Sequence, residues 1–228
     1  MSDGLFAAPQ DGPDHDPCAM TPAADSAPPA EPSDSPAASP ALWAGPVDRL
    51  GPADLADLSD ATEGAILAGG GFGWLSPPPR NRLETYYRGV LAMPERVLFL
   101  ARMDGTVVGA AQLILAPPNN EAQARMGQLA HAFIAPWARG HGLARRLTLA
   151  VAAEARARHL LALNLDVRET QTAAIQLYES LGFQRWGTNP SYAFVEGRMI
   201  AGHSFTLRLT GETAAAPDAA DGEDVRHP

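Results

Sequence analysis

Ile134-Ala-Pro-Trp-Ala-Arg-Gly-His-Gly-Leu-Ala144 is the stretch whose reading decides the fold. An apolar run near Arg125–Ala135 leads into it and reads as a strand, and the segment Gly142–His159 leads out of it and reads as a helix. The first amides of a helix have no intrahelical partner and sit at the positive end of its dipole, so consecutive N–H groups there can hold a phosphate. Gly140 and Gly142 let the backbone approach such a ligand, and Arg139 adds a charged fork. The same residues also fit an ordinary turn with a capping glycine, and the segment alone does not separate the two readings.

Working outward, Asp104-Gly105 lies between the apolar runs Arg96–Met103 and Thr106–Leu115, the strongest hairpin signal in the chain. Upstream, a strand is expected near Trp43–Leu50, then a helix from Leu50 to the Gly69-Gly70-Gly71 break. A second helix follows over Arg80–Leu91. Downstream, a strand at Leu161–Val167 is followed by a helix at Thr170–Leu181. Two closing strands are expected near Phe183–Trp186 and Ser204–Leu209. The predicted order is β-α-α-β-β-β-α-β-α-β-β. An antiparallel meander feeding a strand-helix-strand crossover implies an α/β (α+β) domain whose mixed, mostly antiparallel twisted sheet is flanked by helices.

A dinucleotide fold competes, because Gly140-x-Gly142 follows a strand and Asp166 ends the next one. Its third glycine is missing, since Arg145 stands there, and the Pro-Trp-Ala-Arg insert carries the glycines too far past the strand end. A nucleotide P-loop is excluded by the lack of Gly-Lys-Ser/Thr.

The second half of the pattern is Leu165-x-Val167, then Gln171, then Ala174-Ile-Gln-Leu-Tyr-Glu-Ser-Leu-Gly-Phe183. With it, the chain resembles the GNAT superfamily of N-acetyltransferases. Arg139-x-x-Gly142-x-Ala144 is similar to that family's acyl-CoA pyrophosphate motif, Gln/Arg-x-x-Gly-x-Gly/Ala. Ile134-x-Pro136 is similar to its Val-x-Pro strand end, and Ala-Ile-x-Leu-Tyr-x-x-x-Gly-Phe to its next helix and strand. The likeness is strong over 126–187 and consistent in element order over about 45–210.

The resemblance implies a GNAT-like sheet in which the strands at 126–135 and 161–167 splay apart, with acetyl-CoA as cosubstrate and no metal. Pantetheine would lie in the gap on main-chain groups near Phe133 and Ile134. The pyrophosphate would sit on the amides of Gly140, His141, Gly142, Leu143 and Ala144, beside Arg139. Gln171 replaces the family's usual Asn and keeps the amide on a longer arm. Tyr178 is implied as the acid that protonates the departing thiolate. By spacing alone it belongs to the apolar stripe Ala174, Leu177, Tyr178, Leu181, which is also what a core tyrosine would show.

An alkylammonium lies about three pKa units from its nucleophilic form at neutral pH, roughly 4 kcal/mol, so a base is needed. The family often places a Glu on the strand ending in Val-x-Pro, and this strand has none. His131 is its one titratable side chain and its pKa suits the task. A satisfied core histidine, an ordered water, or Glu121 just upstream are the alternatives. For the acceptor, Phe72 and Trp74 in Gly69-Gly-Gly-Phe-Gly-Trp74 are expected to bind substrate, with Tyr86, Tyr87 and Tyr192 as further aromatics. A surface loop with inward-packed aromatics fits equally.

The 228 residues carry 26 acids and 17 bases, all 17 of them arginine. The imbalance is local. Residues 1–46 hold seven acids, no base and ten of the 21 prolines, and residues 211–228 hold five acids and one base. The segment between has 14 acids against 16 bases, with Arg139, Arg145 and Arg146 together. The expected organisation is a disordered Pro/Ala/Asp-rich tail at 1–42, an N-acetyltransferase domain at 43–210 and an acidic disordered tail at 211–228. Composition argues against a nucleic-acid partner but not against one small phosphate-rich ligand. No membrane span or signal peptide is read, and the single cysteine, Cys18, permits no internal disulfide. The expectation is a cytoplasmic monomer or homodimer acting on an amine-bearing small molecule or peptide. A non-catalytic acyl-CoA sensor on the same fold is the competing reading.

Overall fold

Apolar residues fill both faces of the central strands, so the sheet must be covered on both sides. In the computed structural model, which describes residues 39–70 and 73–209, seven strands form one sheet in the order β1-β2-β3-β4-β5-β7-β6. The strands are β1 (Leu42–Val47), β2 (Arg96–Met103), β3 (Thr106–Leu115), β4 (Met126–Ile134), β5 (Ala162–Arg168), β6 (Gln184–Val195) and β7 (Arg198–Arg208). The helices are α1 (Pro52–Leu67), α2 (Arg80–Ala92), α3 (Leu143–Ala157) and α4 (Thr172–Ser180). All neighbouring strands run antiparallel except β4 and β5, which the α3 crossover makes parallel. The expected fold class holds.

One face of the sheet packs on α1 and α2 through Leu58, Tyr87, Leu98, Leu100, Val107 and Phe133. The other packs on α3 and α4 through Phe99, Leu113, Leu147, Val151, Leu163, Leu165, Tyr178 and Phe205. On the first side, Tyr87 and Thr62 share a buried hydroxyl–hydroxyl hydrogen bond of 2.6 Å, which joins α1 to α2.

Three expectations are corrected. The first strand ends at Val47, and Leu42, assigned to the N-terminal tail, opens it. The closing strands are far longer than expected: β6 and β7 form a hairpin turned at Glu196-Gly197, so Tyr192 lies within β6 rather than in a loop. Polar and small residues at 187–191 hide that strand from a hydrophobicity pattern, and register shifts at 185/187 and 189/193 break its alternation. Residues 1–38 and 211–228 of the tail assignments, and Phe72, lie outside the described residues.

Candidate active site

The parallel ladder between β4 and β5 is short. Met126 pairs with Ala162, Gly127 with Leu163 and Gln128 with Asn164, and beyond that point the strands part. β4 keeps its partner β3 and β5 keeps β7, so the main-chain edges that face each other across the gap are left for another occupant. A cavity of about 500 Å³ opens there, lined from β4 by Gln128 to Ala132, from β5 by Leu165 to Arg168, from α4 by Ala174 and Tyr178, and from β6 by Tyr192 to Val195.

β4 carries a bulge in this wall. Gln112 opposes Ala130 and Ala110 opposes Phe133, so His131 and Ala132 together face Ala111. His131 takes a left-handed φ of 51°. The bulge reverses the strand's facing: Leu129 packs on the α3 side, and Ile134 does too, while Phe133 turns to the α1 side. His131 thereby comes within 6.1 Å of the Tyr86 ring, on the α1–α2 side. Burial, then the charge of Arg96, lowers its pKa below the ordinary 6.5 and keeps the ring neutral at pH 7. A short relay stands behind it, in which Arg96 donates to Gln112 (2.6 Å) and Gln112 donates to the Tyr86 hydroxyl (2.8 Å).

Tyr178 reaches the cavity from the opposite side of the sheet. It is 8 % exposed, packs 5.6 Å from the Phe183 ring, and burial pushes its pKa up to about 12. The hydroxyl is therefore protonated at any working pH. Tyr178 packs in the core, as its apolar stripe implies, and it also lines the cavity.

At the end of β4, Pro136–Ala138 makes a single 3-10 turn and the loop reaches α3 through Gly140 at φ 85° and Gly142 at φ 75°. Both are left-handed positions, and a Cβ added to either would meet nothing within 4 Å. The glycines are thus required by backbone conformation, and the space beyond them is open. Among the described residues, the amides of Gly140 through Ala144 donate to no backbone carbonyl outside α3. A turn of outward amides at the start of a 15-residue helix fits a phosphate group. His141 braces this turn with Nδ1, 3.0 Å from the Arg139 carbonyl oxygen. Leu143 points inward and is buried, whereas Ala144 is exposed.

Several expected side chains are engaged elsewhere. Arg139 folds back so that Nε donates to the Ile134 carbonyl at 3.3 Å, and Arg145 donates to Ser180 at 3.2 Å. Gln171 lines the cavity, but its amide donates to the Gly69 carbonyl at 2.7 Å. Trp74 does not line the cavity as expected. Its ring packs edge-on against Tyr86 at 5.2 Å, because the neighbouring residues Gly73 and Leu75 occupy the wall. Tyr87 is fully buried and Glu121 sits exposed in its own 3-10 turn, so neither lines the cavity.

Sequence reasoning passed over Asp166, the one carboxylate among the described residues lining the cavity. Leu163, Leu165 and Val167 face the α3–α4 core, so alternation sends Asp166 to the other face, where Ser204 donates to it at 2.6 Å. That alternation was the available signal. Its charge also adds to burial in raising the pKa of Tyr192.

A single site therefore has a neutral histidine and a carboxylate on one face of a split sheet, a protonated tyrosine on the other, and a turn of left-handed glycines beyond. The sequence profile of the Acetyltransferase (GNAT) family matches residues 67–183. The uncharacterized N-acetyltransferase of the hisH-hisA intergenic region of Azospirillum brasilense is 58% identical over 125 residues, 55% of this chain and 74% of that protein. A mycothiol acetyltransferase of Thermobispora bispora is 42% identical over 94 residues, 41% of this chain and 32% of that protein, so the match spans about a third of that relative. The GNAT superfamily phosphinothricin acetyltransferase of Sinorhizobium meliloti, solved in complex with acetyl-CoA, superposes with a TM-score of 0.63 at 20% identity over 80% of this chain and 95% of that one. The chain belongs to the GNAT acetyltransferase family. It is an acyltransferase. Among the described residues no helix is long and apolar enough to cross a membrane.

Proposed function

We propose that the protein transfers an acetyl group from acetyl-CoA to a primary amine of a small molecule or peptide by direct attack in the gap between β4 and β5. The observation that carries this reading is the pair Tyr178 and His131, which line one cavity from opposite faces of the sheet at the place where its ladder stops. Phosphates of the donor would rest on the amides of Gly140 to Ala144, with Arg139 swinging from the Ile134 carbonyl to join them. The strand ends at Phe133 and Ile134 would hold pantetheine and polarise the carbonyl through main-chain N–H groups.

Acetyl-CoA supplies an acyl group on sulfur, and the protein's residues handle the protons. His131, neutral at pH 7, accepts the proton that the amine must lose. Tyr178, a phenol that holds its proton at neutral pH and more firmly still for being buried, donates to the leaving sulfur. Asp166 draws a cationic acceptor into the mouth, and Leu75 and Phe194 offer it an apolar wall. The mycothiol acetyltransferase name of one relative is consistent with a small amine acceptor.

The test is thiol release from acetyl-CoA across a panel of primary amines, with wild type beside Tyr178→Phe. An amine-dependent signal that falls about 10²-fold in the variant supports the assignment. Acetyl-CoA binding without thiol release from any amine would overturn it.

A further inference from the structure

We infer that Arg168 and Gln171 form a clasp that fixes the acceptor wall to the helix carrying Tyr178, so that Gln171 serves the acceptor side of the site rather than the acyl donor. The inference rests on the reading of the cavity as the acceptor site.

Two hydrogen bonds define the clasp. Gln171 Nε2 donates to the Gly69 carbonyl at 2.7 Å, and Arg168 Nη2 donates to the Gly70 carbonyl at 2.5 Å. Their partners lie 102 and 98 residues away in the chain, so both bonds join parts of the fold that no local structure would bring together.

The accepting end is held by two backbone hydrogen bonds. α1 closes with the Gly69 amide donating to Ile66 (2.9 Å) and the Gly70 amide donating to Ala65 (2.7 Å). Gly69 is left-handed at φ 73°, and a Cβ on Gly70 would run into the Ala65 carbonyl. Glycine eases the first conformation and is demanded by space at the second, and the two consecutive carbonyls beyond the negative end of this 16-residue helix accept from Gln171 and Arg168. A guanidinium and an amide N–H are the complement of that end.

The donating end is equally placed. Gln171 is the N-cap residue of α4, and its carbonyl accepts from the amides of Ala174 and Ile175, both at 3.0 Å. Tyr178 lies two turns further along the same helix. Arg168 is the last residue of β5, on the face that also carries Asp166. The clasp therefore ties one corner, which sets the start of the Tyr178 helix, to one loop, which supplies Gly73 and Leu75 to the cavity wall. The length of Gln171 is what makes this possible. The family's shorter Asn at this position has the same amide but one methylene less reach.

That difference is the test. Gln171→Asn, Gln171→Ala and Arg168→Ala are made in the full-length chain. Acetyl-CoA affinity is measured by calorimetry, amide exchange is followed over residues 64–75, and turnover is measured with phenethylamine as probe. The clasp predicts that acetyl-CoA affinity stays within twofold in all three variants. It also predicts that exchange at the end of α1 speeds up by about fivefold, the loss of one hydrogen bond, in Gln171→Asn as in Gln171→Ala. The KM for phenethylamine rises by a similar factor while the KM for acetyl-CoA does not. If Gln171→Ala instead weakens acetyl-CoA tenfold and Gln171→Asn restores it, Gln171 is a donor contact and the inference is overturned. Unchanged exchange in every variant overturns it as well. Should wild type not turn over phenethylamine, that result bears on the acceptor reading of the cavity, and the calorimetry and exchange still decide the clasp.

Discussion

Burial makes the Tyr178 ring part of the core and raises its hydroxyl pKa to about 12, so the proposed acid holds its proton across the working range. Tyr178→Phe keeps the packing and removes the proton, so it should lower kcat without a change in melting temperature; a matched loss of stability would point to a structural hydroxyl instead. His131 is set the other way. Its folded-state pKa lies below the unfolded value, so the neutral ring is the form that folding favours. Stability from this group is complete above about pH 6.5 and is lost as pH falls below it. The acid limb of kcat/KM should likewise lie below pH 6.5. Asn tolerates a left-handed backbone, so His131→Asn should fold, lose that limb and fall about 10²-fold or more in kcat. A pH–rate profile of the variant superimposable on wild type would exclude His131 as the base. Asp166→Asn should raise the KM for a cationic amine a few-fold and leave that for a neutral arylamine unchanged, as expected for a partly solvated charge.

At the scale of elements, the turn into α3 is the most demanding piece of backbone. Gly142→Ala meets no steric obstacle yet must hold φ 75°, which costs about 1–2 kcal/mol. A drop of a few degrees in melting temperature is expected, together with weaker acetyl-CoA binding, read by calorimetry. A variant as tight as wild type would remove the phosphates from this turn. The helices and the β2–β3 hairpin were legible because their signals are local: Asp104-Gly105, the glycine break after α1, the glycine turn before α3, and the apolar stripe of α4. The β6–β7 hairpin was not, because its register shifts and exposed polar residues erase the period-two pattern that marks a strand.

At the scale of the whole molecule, two apolar clusters on the two faces of one sheet draw their residues from 42–209, the core of the proposed folding unit. A chain limited to residues 39–210 should unfold in one cooperative transition and bind acetyl-CoA as the full chain does; a broad or split transition would show that the flanking segments contribute to the fold. By itself the sequence determined the element order, the glycine turn into α3 and the family, because these depend on short spacings: two glycines two apart, a tyrosine four beyond an alanine, a strand followed at once by a helix. Tertiary structure alone decided which way the site residues face. Regular alternation would bury His131 beside Leu129 under α3, and a bulge seen only when β4 meets β3 turns it toward the other face. Asp166 lines the cavity, and the Gln171 amide bonds the Gly69 carbonyl, for the same reason. A side chain's neighbours across a split sheet, or about 100 residues away in the chain, are fixed by packing and register, and no local pattern encodes them.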